Sequence, residues 1–82
     1  MKARVFVSLK STVLDPQGQA VCSALHGLGY TAVAEVRQGK CFDIVLAEGV
    51  SRGQAEGDLE TVAREVLANP VIEEYRIEFL ES

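Results

Sequence analysis

The stretch TAVAEVRQGKCFDIVLA, residues 31–47, decides the fold. It contains two runs rich in β-branched and other apolar residues, 31–38 and 41–47, which have the composition of strands. Gln38-Gly39-Lys40 joins the two runs, and glycine can adopt the positive φ that a tight turn requires. The stretch therefore predicts two strands that form a hairpin.

Upstream of the hairpin, the sequence predicts a strand followed by a helix. Residues 2–10 alternate apolar and polar side chains with the period of two that is typical of a half-buried strand. Asp15 is placed to cap a helix whose first position is Pro16, and Gly27 and Gly29 end this helix. Its apolar stripe consists of Val21, Ala24, Leu25 and Leu28.

Downstream of the hairpin, the pattern predicts a second helix and a last strand. Ser51 and Gln54 match the S-x-x-Q capping box, and Asn69-Pro70 stops the helix that this box opens. Residues 71–80 alternate once more and predict a strand. The apolar stripe of the second helix consists of Leu59, Val62, Ala63, Val66 and Leu67.

The element order is β-α-β-β-α-β, which predicts an α+β fold of the ferredoxin-like type or a relative of it. In this two-layer sandwich, two helices lie on one face of a largely antiparallel four-stranded sheet. Residues 1–82 are expected to form a single domain. A chain of this length buries only about 60–65% of the surface that its unfolded form exposes, which favours stabilisation by association with other chains.

The helices cover only one face of the predicted sheet, so the other face is open. Four apolar residues have the parity of that open face: Phe6, Val33, Val45 and Ile72. Exposed apolar patches usually mark contacts with another subunit. We therefore predict that these four residues mediate self-association.

Composition excludes two classes of partner. Eight Lys and Arg against twelve Asp and Glu give a net charge of −4, whereas nucleic-acid binding needs a concentrated basic face. The longest apolar runs, such as residues 44–47, fall far short of the roughly 20 residues of a membrane span. We expect a cytoplasmic protein with no nucleic-acid or membrane partner.

Cysteine and histidine content argues against a metal site or a nucleophile. Cys22 and Cys41 lack CxxC spacing, and the single histidine, His26, makes a four-ligand site hard to assemble. We interpret both cysteines as reduced and structural. A cysteine nucleophile paired with His26 is the functional alternative.

No nucleotide or acid–base motif is convincing either. Residues 27–32 fit the string G-x-G-x-x-A, but they close a helix and open a strand, the reverse of what phosphate binding requires. The chain also lacks a P-loop. The acidic pair Glu73-Glu74 is interpreted as part of a solvated polar face. We therefore predict no catalytic residue and no metal ligand in this chain.

Three stretches resemble the signature stretches of the PurS family, the small subunits of formylglycinamidine ribonucleotide synthase. They are VLDPQG at residues 13–18, VRQGK at 36–40 and LANPVIEEY at 67–75, in the family's order and spacing. The chain departs from the family at Ser11-Thr12, where Pro-Gly is usual, in the loop before the first helix.

The resemblance implies a non-catalytic subunit of a complex in purine biosynthesis. A glutaminase subunit releases ammonia, a large synthetase subunit uses ATP and magnesium, and homodimers or homotetramers of the small subunit bridge the two. The small subunit itself binds no cofactor. On the strength of the resemblance, we hypothesise that positions in and beside these stretches make the subunit contacts: Lys10, Asp15, Pro16, Gly18, Arg37, Gly39, Lys40, Asn69 and Pro70.

Two alternatives stay open at this point. The first is a ferredoxin-like regulatory domain of the amino-acid-sensing type, although the loop of residues 11–16 is not rich in glycine. The second is a small hydrolase of the acylphosphatase type, which needs an arginine-bearing loop after the first strand that this chain lacks. From the pattern alone, Lys10, Arg37 and Lys40 are either ordinary solvated cations or contacts for an anion or an acidic partner.

Overall fold

The computed structural model describes residues 1–80, so the last two residues of the predicted domain, 81–82, lie outside the described part. The elements are β1 (Lys2–Leu9), α1 (Pro16–Gly27), β2 (Gly39–Val45), α2 (Arg52–Val62) and β3 (Glu73–Leu80), with a π-helical segment, Ala63–Leu67, after α2. Within the described residues the sheet has three strands in the order β2-β1-β3, and β1 is antiparallel to both neighbours. The α+β class and the antiparallel sheet are confirmed, but residues 1–80 do not form the expected fourth strand.

The buried core lies between the central strand and α2. Ala3, Val5 and Val7 of β1 are almost fully buried, because β1 has a strand on each side and the helix layer above it. On the helix side, the buried residues are Ala55, Leu59, Ala63 and Ala68. Half-buried side chains from the two outer strands complete the core: Phe42, Ile44, Tyr75 and Ile77.

The second helix begins as predicted and then departs from its predicted stripe. Ser51 Oγ accepts a hydrogen bond from Gln54 N–H at 3.1 Å, which confirms the serine cap. Near the end of the helix, Ala68 N–H donates to Ala63 O at 2.9 Å, the i to i+5 bond of a π-helical turn. Because this wider turn rotates later side chains away from the sheet, Val66 is exposed and its predicted place in the core is wrong.

The predicted hairpin is also wrong, since residues 31–38 form no strand and Gln38-Gly39-Lys40 forms no turn. Gly39 has no positive φ; it starts β2 opposite Ser8. A Cβ on Gly39 would lie 2.7 Å from Val7 O, so glycine is required here by the close approach of β1 and not by a turn. The chain therefore enters β2 without reversing its direction.

The first helix lies away from the core. Asp15 caps it and Pro16 occupies its first turn, as predicted, but Gly18 is its only buried residue. Val21 and Leu28, members of the predicted core stripe, are exposed, so the two helices do not share the sheet face. We call α1 together with residues 33–38 the arm.

The arm makes the molecule elongated. The Cα radius of gyration is 16.2 Å, whereas a compact domain of this length has a value of about 12 Å. The principal extents are 51 × 30 × 13 Å. In a single copy, the apolar side chains of the arm are left without the cover that the sequence pattern predicts for them.

Candidate subunit-contact site

The three signature stretches meet at one end of the sheet. β1 ends where β2 and β3 begin, because β1 is antiparallel to both, and Ser8 pairs with Gly39 while Leu9 pairs with Glu73. Sheet topology thus brings together residues that are far apart in the sequence. We call this region, residues 10–18, 37–40 and 69–73, the junction.

Asp15 is the buried anchor of the junction, with 4% of its surface exposed. Its Oδ2 accepts a hydrogen bond from Gln38 N–H at 2.6 Å, and its Oδ1 accepts one from Gly18 N–H at 3.0 Å. These two bonds, helped by the nearby Arg37 guanidinium, lower the pKa of Asp15 below its usual range. One carboxylate therefore connects the start of α1 to the residue before β2.

Arg37 holds the loop between β1 and α1. Its Nη2 donates to Lys10 O and to Val13 O, each at 2.9 Å. Lys10 N–H also donates to Ile72 O at 2.9 Å, which extends the contact between β1 and the segment before β3. The side chain of Arg37 is therefore a structural element of the junction.

Asn69 and Glu73 organise the entry into β3. Glu73 Oε1 accepts from Asn69 N–H at 2.7 Å, while Asn69 Oδ1 accepts from Val71 N–H at 3.1 Å. Pro70 sits in the exposed turn between them, and Glu73 Oε2 lies 4.0 Å from Lys40 Nζ. Sequence reasoning missed Glu73 by assigning it to a solvated face; its place in the third signature stretch, beside Asn69, was the available signal.

A cleft of about 260 Å³ opens at the junction. Its rim carries Lys40, Glu73, Gln17 and Gln38, and Asp15 lies in its wall. Backbone hydrogen bonds to both oxygens hold the pKa of Asp15 below its usual range, so this carboxylate is a poor general base. With Lys40, Glu73 and two glutamines in its lining, the cleft can receive charged or amide groups from a partner.

Cys22 and His26 connect α1 to the segment of residues 33–38 within the arm. Their Sγ and Nε2 atoms are 3.7 Å apart, and His26 Nε2–H donates to Val33 O at 2.6 Å. The pair thus binds the backbone that runs beside α1. Across residues 1–80, no group of three or more His, Cys, Asp or Glu side chains has an arrangement that could hold a metal ion.

The four residues predicted for self-association do not form one patch within a copy. Phe6 lies on the open face as expected, but the Arg76 guanidinium stacks on its ring at 4.3 Å from the centroid. Val45 lies at the end of the sheet opposite Lys2 and is 75% exposed. Val33 belongs to the arm and Ile72 to the junction, at the other end of the sheet.

Comparisons with known proteins agree on one family. The family model PurS, described as phosphoribosylformylglycinamidine (FGAM) synthase, matches residues 2–81. The chain is 42% identical over 76 residues to the phosphoribosylformylglycinamidine synthase subunit PurS of Mycobacterium leprae, a match that covers 93% of this chain and 91% of the relative.

Solved structures agree with this assignment. Bacillus subtilis PurS superposes with a TM-score of 0.83 at 43% identity, covering 94% of each chain. A chain in the structure of PurLQS from Thermotoga maritima gives a TM-score of 0.84 at 31% identity, with 96% of this chain and 95% of that chain covered. In the described part of the chain, none of the helices is both long enough and apolar enough to span a membrane.

Proposed function

The chain belongs to the PurS family of phosphoribosylformylglycinamidine synthase subunits, and we propose that it bridges the glutaminase and the large synthetase of that enzyme without catalysing a step itself. The enzyme acts in purine biosynthesis. The observation that carries the proposal is the junction, where three distant signature stretches form one hydrogen-bonded surface. Such a surface is suited to binding the partner subunits.

A bridge is useful because of the chemistry of ammonia. Ammonia released into water diffuses away and is protonated, so a glutaminase and a synthetase on separate chains must be held together for efficient transfer. We assign ATP and magnesium to the large synthetase subunit and no cofactor to this chain. We propose a cytoplasmic location for the complex and a homodimer as its smallest unit of this chain, with a homotetramer as the larger alternative.

Reconstitution tests the bridging role directly. The glutaminase and the large synthetase are assayed for glutamine-dependent product formation with and without this chain. We expect at least a tenfold stimulation by the chain. With ammonium chloride as the nitrogen source, the stimulation is expected to disappear, because no transfer between active sites is then needed. Glutamine-dependent activity that is indifferent to the chain would refute the proposal.

Lys40 is the best single residue for testing the contact. Its side chain is half-exposed at the rim of the cleft, and its 4.0 Å pair with Glu73 contributes little to stability because it is solvated. We expect Lys40→Ala to keep its Tm within about 2 °C and to bind the partner subunits about three- to tenfold more weakly. Binding is measured by titration against the immobilised glutaminase and synthetase.

The matched control is Lys2→Ala, which removes the same charge at the opposite end of β1. Equal weakening by the two variants would show a general charge effect and contradict the contact. Arg37→Ala is less suitable, since the Arg37 side chain holds Lys10 O and Val13 O and its loss is expected to lower the Tm as well.

A further inference from the structure

We propose that the π-helical turn at Ala63–Leu67 is a recognition element for a partner subunit of the synthase. It presents Val66 to the outside, and together with Val71 and Ile72 this side chain forms an apolar tip. The tip inserts into an apolar pocket of the partner that carries a carboxylate at its edge. The inference rests on the bridging function proposed above and specifies the surface that performs it.

The π turn adds one residue to the end of the second helix. The buried positions of this helix and the residue that follows it are Ala55, Leu59, Ala63 and Ala68, so their spacings are four, four and five residues. The last spacing is longer because Ala68 N–H donates to Ala63 O across five positions, at 2.9 Å. A regular α-helix would keep the spacing of four. The turn therefore contains one residue more than the helix needs to reach the junction.

Val66 has the environment expected of this additional residue. Of the four residues between Ala63 and Ala68, two are charged, Leu67 packs against the core, and Val66 is 74% exposed. Single π turns inside α-helices occur frequently at functional sites. A contact outside the folded chain explains why an exposed valine occupies this one.

The connection to β3 adds two exposed apolar side chains to Val66. Val71 is 78% exposed and Ile72 is 39% exposed. Five residue steps separate Val66 from Val71, so their Cα atoms lie within about 18 Å of each other. This span fits inside one side of a standard interface, which covers about 800 Å². Exposed apolar side chains grouped in this way mark a contact with another protein.

Backbone hydrogen bonds hold the tip in place. Ile72 N–H and Glu73 N–H both donate to Asn69 O, at 3.1 and 2.7 Å. Val71 N–H donates to Asn69 Oδ1 at 3.1 Å. No apolar side chain takes part in these bonds, so the conformation of the turn does not depend on the exposed side chains. A surface that is already ordered loses little conformational entropy when it binds.

Charge indicates what surrounds the partner's pocket. The junction contains three cations and two carboxylates, which are Lys10, Arg37, Lys40, Asp15 and Glu73. Asp15 is buried and accepts two backbone hydrogen bonds, so the accessible charge at the junction is positive although the chain has a net charge of −4. Lys40 Nζ is half-exposed beside the tip, 4.0 Å from Glu73. A carboxylate at the edge of the pocket complements this ammonium group.

Threonine substitutions test the apolar tip. The double variant Val66→Thr, Val71→Thr replaces one methyl group at each position by a hydroxyl group, and valine and threonine have similar helix propensities. We expect its Tm to stay within about 2 °C of the wild type and its binding to a partner subunit to weaken at least tenfold. Binding is measured by titration against the immobilised glutaminase and the immobilised synthetase separately. Wild-type affinity for both partners would overturn the proposal.

The matched control is the double variant Val66→Ile, Val71→Ile, which keeps both positions apolar and β-branched. We expect its affinity for the partners to lie within about threefold of the wild type. An equal loss of affinity in the threonine and isoleucine variants would show that apolar character at these positions is not what the partner recognises. That result would overturn the apolar pocket.

Deletion of Val66 tests the π turn itself. Without this residue, Ala63 O and Ala68 N–H stand four positions apart and can form an ordinary α-helical bond. We expect the deletion to leave the Tm within about 3 °C of the wild type and to weaken partner binding as the threonine variant does. Deletion of Glu65 is the control, because it shortens the turn equally and keeps the valine side chain, so it is expected to bind more tightly than the deletion of Val66.

Two results of the deletion experiment would contradict the proposal. Equal partner affinity in the two deletion variants would show that the valine side chain is not the contact. A Tm more than about 10 °C below that of the wild type would show that the fold itself requires the π turn, which would overturn its role as a recognition element.

Sedimentation and reconstitution separate the remaining explanations. If the threonine variant loses self-association but keeps its partner affinity, a second copy of the chain covers the tip, and the proposal is overturned. Equal stimulation of glutamine-dependent activity by the wild type and the threonine variant, with equal affinities, would overturn the tip and leave the bridging role intact. Weaker binding by the threonine variant, with no stimulation by the wild type, would support the tip and remove the bridging role.

Discussion

Gly18→Ala is expected to destabilise the protein by about 1–3 kcal/mol and to lower its Tm by roughly 10 °C, even though alanine is the better helix former. A Cβ at Gly18 would lie 2.3 Å from Val36 O and 2.7 Å from Asp15 Oδ2, closer than atoms can approach. Asp15 is held by two backbone hydrogen bonds, and Val36 is followed directly by Arg37 and Gln38, which are held at the junction, so α1 must separate from residues 33–38. We therefore expect this variant to lose dimerisation and partner binding as well.

The control variant, Gly57→Ala, is expected to change the stability in the opposite direction. Gly57 lies in α2, and a Cβ there would meet no atom within 4 Å. Gly57→Ala is therefore expected to raise the stability by about 0.5–1 kcal/mol through helix propensity alone. Thermal unfolding and analytical ultracentrifugation of both variants give the comparison. A Gly18→Ala protein as stable as the wild type would contradict the close packing of α1 on residues 33–38.

Local signals predicted the parts of this fold that local chemistry determines. The alternation of β1 and the caps at Asp15 and Ser51 follow from neighbouring residues, and the structure confirms them. The glycine at position 39 illustrates the limit of this reasoning. A tight turn and a close strand contact both require glycine, and only the tertiary structure shows that Val7 O is the reason.

The predicted position of α1 on the sheet was wrong for a related reason. The apolar stripe that contains Val21 and Leu28 predicts that this helix face packs against another surface. The pattern does not specify which surface that is, and in the structure both residues are exposed. The same limit applies to the junction, where the resemblance marked the important stretches and the antiparallel pairing of β1 with two strands brought them together.

Asp15→Ala is expected to lower the Tm by roughly 5–10 °C at pH 7 and to remove part of the acid sensitivity of the protein. The carboxylate caps α1 at Gly18 and binds Gln38, so its loss leaves two backbone N–H groups without their acceptor. Asp58→Ala is the matched control, because Asp58 is an exposed carboxylate on α2 and its removal changes the net charge equally.

The pH dependence follows from the direction of the pKa shift at Asp15. The hydrogen bonds from Gln38 and Gly18 lower the pKa of Asp15 in the folded state, so the stability they confer is fully present above the unfolded pKa of about 4. That stability is lost as the pH falls through the lower, folded pKa. Tm measured from pH 6 to pH 2.5 is therefore expected to fall less steeply for Asp15→Ala than for the wild type and Asp58→Ala. Parallel curves for all three proteins would show that Asp15 does not connect the start of α1 to Gln38 in solution, since protonating this one carboxylate must weaken both of its backbone hydrogen bonds if they exist.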